Sequence, residues 1–342
     1  MAAKKNYCTG DKNIDSEICS LAKKYSSPKT RQYIQDIFTT AIKLHLDKAD
    51  DRDLYLINTT LKELRHIFRI FKKYRDIRKV VIFGSHRTSP KSKEYKTTEK
   101  FSRQIVAKGY MVITGGGGGV MEAGNKGAGK RGFAVKIKLP EEYEPNPYVP
   151  QGEKLINVKY FFTRKLAFLK ESDATVLFPG GFGTHDEGFE VLTLLQTGKM
   201  APRPIIFVET PGQTYWKTWF NFLKKELLRS GYLVKEDFKT FSVVDSAEDA
   251  VEEIDRFYRV YHSIRYHRGL TVIRLNKKIS EKDIAKLNKK YKSILDQEIK
   301  PCGPLPVEVR CKELLEKPRL CFKFHGRHFG GLLDLIRDIN RC

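Results

Sequence analysis

The sequence predicts an α/β protein built on a doubly wound parallel sheet, and three observations predict it. From residue 79 onward, short β-branched or apolar runs alternate with segments of helical spacing. Glycine-rich turns stand at the carboxyl ends of those runs, where sheets of this kind bind ligands. The chain has 342 residues, 40% of them hydrophobic, which is enough for a substantial core and for two or three folded units.

Residues 1–75 read as a helical extension. In 31–45 the apolar residues at 34, 37, 38, 41, 42 and 44 fall close to one helical stripe, and 54–74 continues through Leu56, Leu61, Leu64, Ile67, Phe68 and Phe71. Pro28 and Asp50-Asp51 mark boundaries, the aspartates being suited to a helix N-terminus. No chemistry shows in this extension, which reads as a packing or oligomerisation bundle. Strands are expected at 80–84, 111–115, 134–139, 174–180, 204–209 and 241–245, with helices between them at 94–108 and 184–195. The sheet so defined occupies residues 76–262. Residues 263–342 form a small α+β module. It has strands at 270–275 and 320–324, helices at 281–295 and 332–339, and a turn-rich connector at 301–306. Its expected role is regulatory or dimerising.

Composition narrows the partners. The formal charge is +23, divided as about +7 over 1–75, about +6 over 76–260 and about +10 over 261–342. The segment holding the glycine-rich turns is thus the least basic, and no helix-turn-helix, finger or RNA-recognition signature accompanies the charge, which argues against nucleic acid as the partner. No run reaches the ~18 apolar residues of a membrane span, and the first residues lack the apolar core of a secretory signal. The six cysteines (Cys8, Cys19, Cys302, Cys311, Cys321 and Cys342) form no CxxC. They fit reduced thiols and a cytoplasmic location, with no structural zinc.

Three strand ends carry unusual residues. Gly84-Ser85-His86-Arg87 follows the first, Thr114 and the run Gly115 to Gly119 the second, and Pro179-Gly180-Gly181-Phe182-Gly183-Thr184-His185-Asp186-Glu187 the fourth. Glycines at such turns let backbone N–H groups approach a phosphate, and the following helix adds partial positive charge. No GK[ST] closes the Gly115–Gly119 run, so it is not a Walker A loop. The third glycine of GxGxxG is replaced by Val120, and no ribose carboxylate follows at the usual distance, so a mononucleotide fits better than a dinucleotide.

The nine residues from Pro179 to Glu187 match the PGGxGTxxE signature of the LOG (Lonely Guy) phosphoribohydrolases, a family often mislabelled lysine decarboxylases. Arg164-Lys165 matches its upstream arginine–lysine pair, and TGGGGGVMEAGNKGA resembles its glycine-rich turn and helix. Together these cover about residues 78–260, and the whole chain resembles the longer bacterial members. The resemblance implies a Rossmann-like sheet, at least a homodimer, and hydrolysis of the N-glycosidic bond of a nucleoside 5′-monophosphate (AMP-like or a cytokinin ribotide) to free base and ribose 5-phosphate. It implies no cofactor and no metal. Glu187 would stabilise the oxocarbenium ion and activate water, within the first turn of its helix. Arg164 would offer a bidentate fork to phosphate or a ribose hydroxyl. Thr184 and the amides of Gly180, Gly181 and Gly183 would hold the phosphate, with Gly84, Ser85, Thr114, Gly115, Gly116 and Gly117 walling the other side. Lys165 is either a phosphate contact or half of an ion pair, and Thr193 and Glu144 follow from the resemblance more distantly. His185 and Asp186 depart from the hydrophobic residue and glutamate that familiar members often carry. Lysine decarboxylation is set aside, because no constellation for pyridoxal phosphate is present. The alternative is a non-catalytic nucleotide or molybdenum-cofactor carrier using the same cradle.

Overall fold

The computed structural model describes residues 7–139, 144–325 and 329–342. The chain divides into two compact units, Met1–His66 and Ile67–Cys342.

In the first unit α1 (Lys12–Tyr25) and α2 (Arg31–Leu46) pack together around the buried Ile18, Ala22 and Thr39. The Asp11 carboxylate starts α1 by accepting from the amides of Asn13 and Ile14, two donors that a helix N-terminus otherwise leaves unpaired. A third helix, α3 (Asp51–Lys72), begins in this unit with Asp51 and Asp53 in its first turn, where carboxylates favour the helix dipole.

The second unit holds both sheets. The larger comprises β1 (Lys79–Phe83), β2 (Met111–Thr114), β3 (Gly132–Ile137), β4 (Leu155–Val158), β5 (Ala174–Leu177), β6 (Ile205–Val208) and β7 (Ser242–Val244). Every pairing is parallel and the spatial order is β4-β3-β2-β1-β5-β6-β7. β1, β2, β5 and β6 are mostly apolar and wholly buried, as a sheet covered on both faces requires. The covering helices include α4 (Lys93–Ala107), α5 (Val120–Ala128), α6 (Phe161–Glu171), α7 (Phe182–Gln196), α8 (Tyr215–Phe222) and α9 (Ala247–Phe257). The expected Rossmann-like α/β fold is what the structure shows. The order grows outward from β1 to β4 on one side and from β5 to β7 on the other, so the topological switch lies between β1 and β5.

The second sheet is antiparallel, in the order β10-β11-β9-β8, from β8 (Tyr261–His267), β9 (Leu270–Leu275), β10 (Leu295–Cys302) and β11 (Arg319–Phe324). It is joined by α10 (Glu281–Tyr291), α11 (Pro306–Cys311) and α12 (Phe329–Ile339). Several expectations are corrected here. The helix expected to 295 stops at Tyr291, and Leu295 already belongs to β10. The 301–306 connector is shorter, because Pro301 and Cys302 end β10 and Pro306 opens α11, a first-turn position at which proline's missing N–H costs nothing. Cys302 and Cys321 are joined in a disulfide across β10 and β11, against the expectation of free thiols, whereas Cys8, Cys19, Cys311 and Cys342 are free. The antiparallel ladder brings the pair within 5.9 Å Cα to Cα, in the range a disulfide needs. Among the described residues no helix is long and apolar enough to cross a membrane, and no group of His, Cys, Asp and Glu is arranged to hold a metal ion.

Candidate functional site

The turns after β1 and β5 meet at the switch point. The Phe178 amide donates to the Phe83 carbonyl at 2.9 Å and the Ser85 amide to the Pro179 carbonyl at 3.1 Å, so the two turns are stitched side by side. The turn ahead of α5 joins them through the Val120 amide, which donates to the Ser85 carbonyl at 3.0 Å. Contact this close dictates glycine. A Cβ on Gly180 would lie 2.1 Å from Thr184 Oγ1, and one on Gly119, whose φ is +64°, would lie 2.3 Å from the Ser85 carbonyl oxygen. Above these turns opens a cleft of about 800 Å³.

α7 starts at Phe182 and points its N-terminus at the cleft. The amides of Thr184 and His185 both donate to the Gly181 carbonyl, which leaves those of Phe182 and Gly183 ahead of the first helical bond. The positions of Gly181 and Gly183 have open space where a side chain would stand. This is the arrangement that receives an anion: free N–H groups, a helix dipole and no side chain in the way.

Glu187 comes next on α7 and lines the same cleft, though its residue is only 4% exposed. Its Oε1 lies 3.8 Å from Arg164 Nη2, an ion pair too long for a hydrogen bond, and its buried Oε2 has no hydrogen-bond partner. Burial pushes the carboxyl up to about 7, against the opposing pull of Lys165 and Arg164. Arg164, on α6, stacks its guanidinium over Phe161 at 4.7 Å and over Phe168 at 5.7 Å; its Nε is buried and unpaired, and burial lowers its proton affinity. A carboxylate and a guanidinium with unspent hydrogen-bonding capacity thus share one wall of a cleft whose floor is an anion cradle.

Comparison with known proteins bears on this site. The family model described as "Possible lysine decarboxylase" matches residues 106–254, which include α6, the glycine turn and α7. A probable cytokinin riboside 5′-monophosphate phosphoribohydrolase of Oryza sativa subsp. japonica is 24% identical over 184 residues, 53% of this chain and 72% of the relative. The cytokinin riboside 5′-monophosphate phosphoribohydrolase of Mycobacterium tuberculosis is 29% identical over 154 residues, 43% of this chain and 78% of the relative. The chain belongs to the LOG family. Among solved structures, a molybdenum cofactor carrier protein from Chlamydomonas reinhardtii is 19% identical with a TM-score of 0.39, matching 53% of this chain and 97% of that one.

In this LOG-family chain the cleft is lined by Gly84, Ser85, Gly115, Arg164, Gly180, Gly181, Gly183, Thr184 and Glu187 of the residues singled out in the sequence. The others lie elsewhere. Thr114 is fully buried; its hydroxyl donates to Asn125 Oδ1 at 2.6 Å and accepts from the Gly116 amide at 3.0 Å. The carbonyls of Gly116 and Gly117 are both held by Asn146, through its amide at 2.9 Å and its side chain at 2.9 Å. Lys165 turns to Asp186 at 2.8 Å and Glu190 at 2.9 Å, the ion-pair alternative rather than a wall of the cleft. Thr193 and Glu144 are exposed and do not line it. Because α7 begins at Phe182 rather than 184, Glu187 falls in its second turn, not the first.

Sequence reasoning passed over several lining residues of this LOG site. His86, Arg87, Met121, Phe182 and Tyr215 all line the cleft, and His185, noted in the sequence only as a departure from the family pattern, is half-buried there. Arg87 was visible in the Gly84–Arg87 turn itself. Tyr215 had no local signal, since it arrives from the segment after β6.

Proposed function

We propose that this LOG-family protein hydrolyses the N-glycosidic bond of a nucleoside 5′-monophosphate, releasing the free base and ribose 5-phosphate. One observation carries the reading: the buried Glu187 carboxyl, with an unpaired oxygen, lines the cleft on the same helix whose N-terminus supplies the anion cradle. With the 5′-phosphate on the amides of Gly181, Phe182 and Gly183 and beside Thr184, the ribose of the same molecule falls toward Glu187 and Arg164. As the C1′–N bond breaks, positive charge spreads over C1′ and the ring oxygen, and the Glu187 carboxylate stabilises it. Water then adds to C1′, its hydroxide closing the sugar product and its remaining proton passing to the departing base. Arg164 binds a ribose hydroxyl or phosphate oxygen with the hydrogen-bonding capacity its long contact to Glu187 leaves unused.

Relatives whose names specify cytokinin riboside 5′-monophosphates support the reaction class. Chromatography of the base released from AMP, cytokinin ribotides, nucleoside diphosphates and bare nucleosides tests the proposal. Turnover is expected only with the 5′-monophosphate, and Glu187→Ala is expected to abolish it. Tight binding of nucleotide without release of any base would leave a carrier instead.

A further inference from the structure

Two residues lining the cleft, Tyr215 and His185, and Glu209 behind them are used by no catalytic step above. The Tyr215 hydroxyl donates to the carbonyl of Gly180. That spends its single proton, so at 2.7 Å from His185 Nε2 the same oxygen must be accepting. His185 therefore carries its proton on Nε2. Burial lowers its proton affinity, which favours the neutral ring, and the ring is wedged against Phe189, Tyr215, Trp216 and Trp219. Tyr215 is itself anchored from behind. The buried Glu209, just past β6, accepts the amides of Tyr215 at 3.1 Å, Trp216 at 2.8 Å and Lys217 at 3.0 Å, capping α8 at the residue that bears the hydroxyl.

The Gly180 carbonyl and the Gly181 amide belong to one rigid trans peptide plane, so holding the oxygen fixes the direction of the N–H. Both flanking residues are glycines, whose backbone would otherwise turn most freely. We propose that Tyr215 is a positioning residue of the phosphate cradle. Its hydroxyl sets the Gly180–Gly181 peptide plane, and His185 and Glu209 hold that hydroxyl in place. This deepens the reading given above and rests on it, in that the cleft takes a phosphorylated sugar.

Calorimetric titration with ribose 5-phosphate, alongside kinetics with AMP, tests it on the full chain. Tyr215→Phe keeps the ring and removes one hydrogen bond. It is expected to weaken ribose 5-phosphate binding and raise KM about tenfold while kcat moves less than threefold, the size of effect one positioning bond gives. His185→Leu is expected to follow in the same direction, and His185→Gln, which keeps an N–H donor, to recover most of the loss. Unchanged ribose 5-phosphate affinity in Tyr215→Phe overturns the proposal. So does a parallel fall in kcat and melting temperature with KM unmoved, which is what a purely structural residue would show. Should Tyr215→Phe fail to fold, the two His185 variants decide, equal affinity in both counting against the proposal. If the wild type binds ribose 5-phosphate tenfold tighter than Tyr215→Phe yet releases no base from any nucleotide, the positioning role stands and the hydrolase reading falls.

Discussion

Two buried glutamates in this molecule have opposite surroundings. Glu308, on α11 of the C-terminal module, is 0% exposed and fully partnered: Arg274 Nε donates at 2.8 Å, Arg319 Nε at 3.1 Å and the Leu305 amide at 2.7 Å. Burial alone would push its carboxyl up, but the Leu305 amide, Arg274 and Arg319 together hold it below the usual carboxylate range. Glu187 is almost as buried, yet it has one distant arginine, one orphan oxygen and a carboxyl raised to about 7. Burial is therefore common to both, and partnering separates them. A carboxylate whose hydrogen bonds are complete contributes to the fold, whereas one left incomplete beside a cleft retains affinity for a ligand's developing charge.

The sharpest way to break that contrast is to neutralise the cleft carboxylate at constant shape. Glu187→Gln is expected to lower kcat for base release by about 10³–10⁴-fold, on the order of 4–5 kcal/mol of transition-state stabilisation. Its melting temperature should hold or rise, because an incompletely solvated charge has been removed. A melting temperature that fell together with kcat would show Glu187 to be a structural residue like Glu308.

How much of this was readable beforehand follows the same division between local and tertiary causes. Six of the seven parallel strands were legible, most plainly β1, β2, β5 and β6, because a strand buried on both faces must be largely apolar, as in Val80-Val81-Ile82. β4 escaped because it is a four-residue edge strand with Asn157 exposed. β8 escaped because its Tyr-His-Ser-Ile-Arg-Tyr-His run is polar and only partly covered. The glycine turns were legible, since a strand end that must approach a neighbouring turn within van der Waals contact can carry little else. The α6–α7 ion pairs of Lys165, the Thr114–Asn125 bond and the arrival of Tyr215 from beyond β6 were not, because each depends on which elements become neighbours.

The complementary perturbation is Glu308→Ala. Removing it leaves the buried Arg319 without a carboxylate and Arg274 with only the half-exposed Glu313, and breaking a buried pair in this way costs about 3–5 kcal/mol. Denaturant unfolding should show that loss, while kcat per folded molecule stays at the wild-type value. A comparable loss of kcat in the still-folded enzyme would mean that the two glutamates are coupled.

The pH dependence follows from the two opposite shifts. The proton on Glu187 binds more tightly in the folded than in the unfolded state, so its contribution to stability is complete below about pH 4.5 and is lost as pH rises through about 7. Glu308 behaves inversely: its contribution is present above the unfolded value and is lost as pH falls through its lowered folded value. Comparing wild type with Glu187→Gln by unfolding between pH 4.5 and 8 should show the variant gaining up to on the order of 3 kcal/mol relative to wild type as pH rises. Over the same range kcat/KM of the wild type should climb to a plateau above about pH 7, as the carboxylate forms. On the proposed mechanism, the ionisation that activates the site is thus the one that destabilises the fold. A rate that fell above pH 7 would assign Glu187 as a proton donor and reverse its role.

The smallest expected effect concerns geometry rather than charge. Arg164→Lys keeps a cation near Glu187, so the rise of kcat/KM with pH should remain close to 7, since the pull on the carboxyl from this side persists. What lysine cannot supply is the planar fork, nor the stacking over Phe161 and Phe168 that fixes its orientation. KM for the monophosphate should therefore rise about tenfold, roughly 1.4 kcal/mol, with little change in the pH profile. If Arg164→Lys matched wild type, the guanidinium would serve Glu187 only as a point charge, and the unpaired capacity at Arg164 would have no role in binding. If instead the profile shifted upward while KM held, Arg164 would belong with Arg274 and Arg319, as a partner that settles a carboxylate.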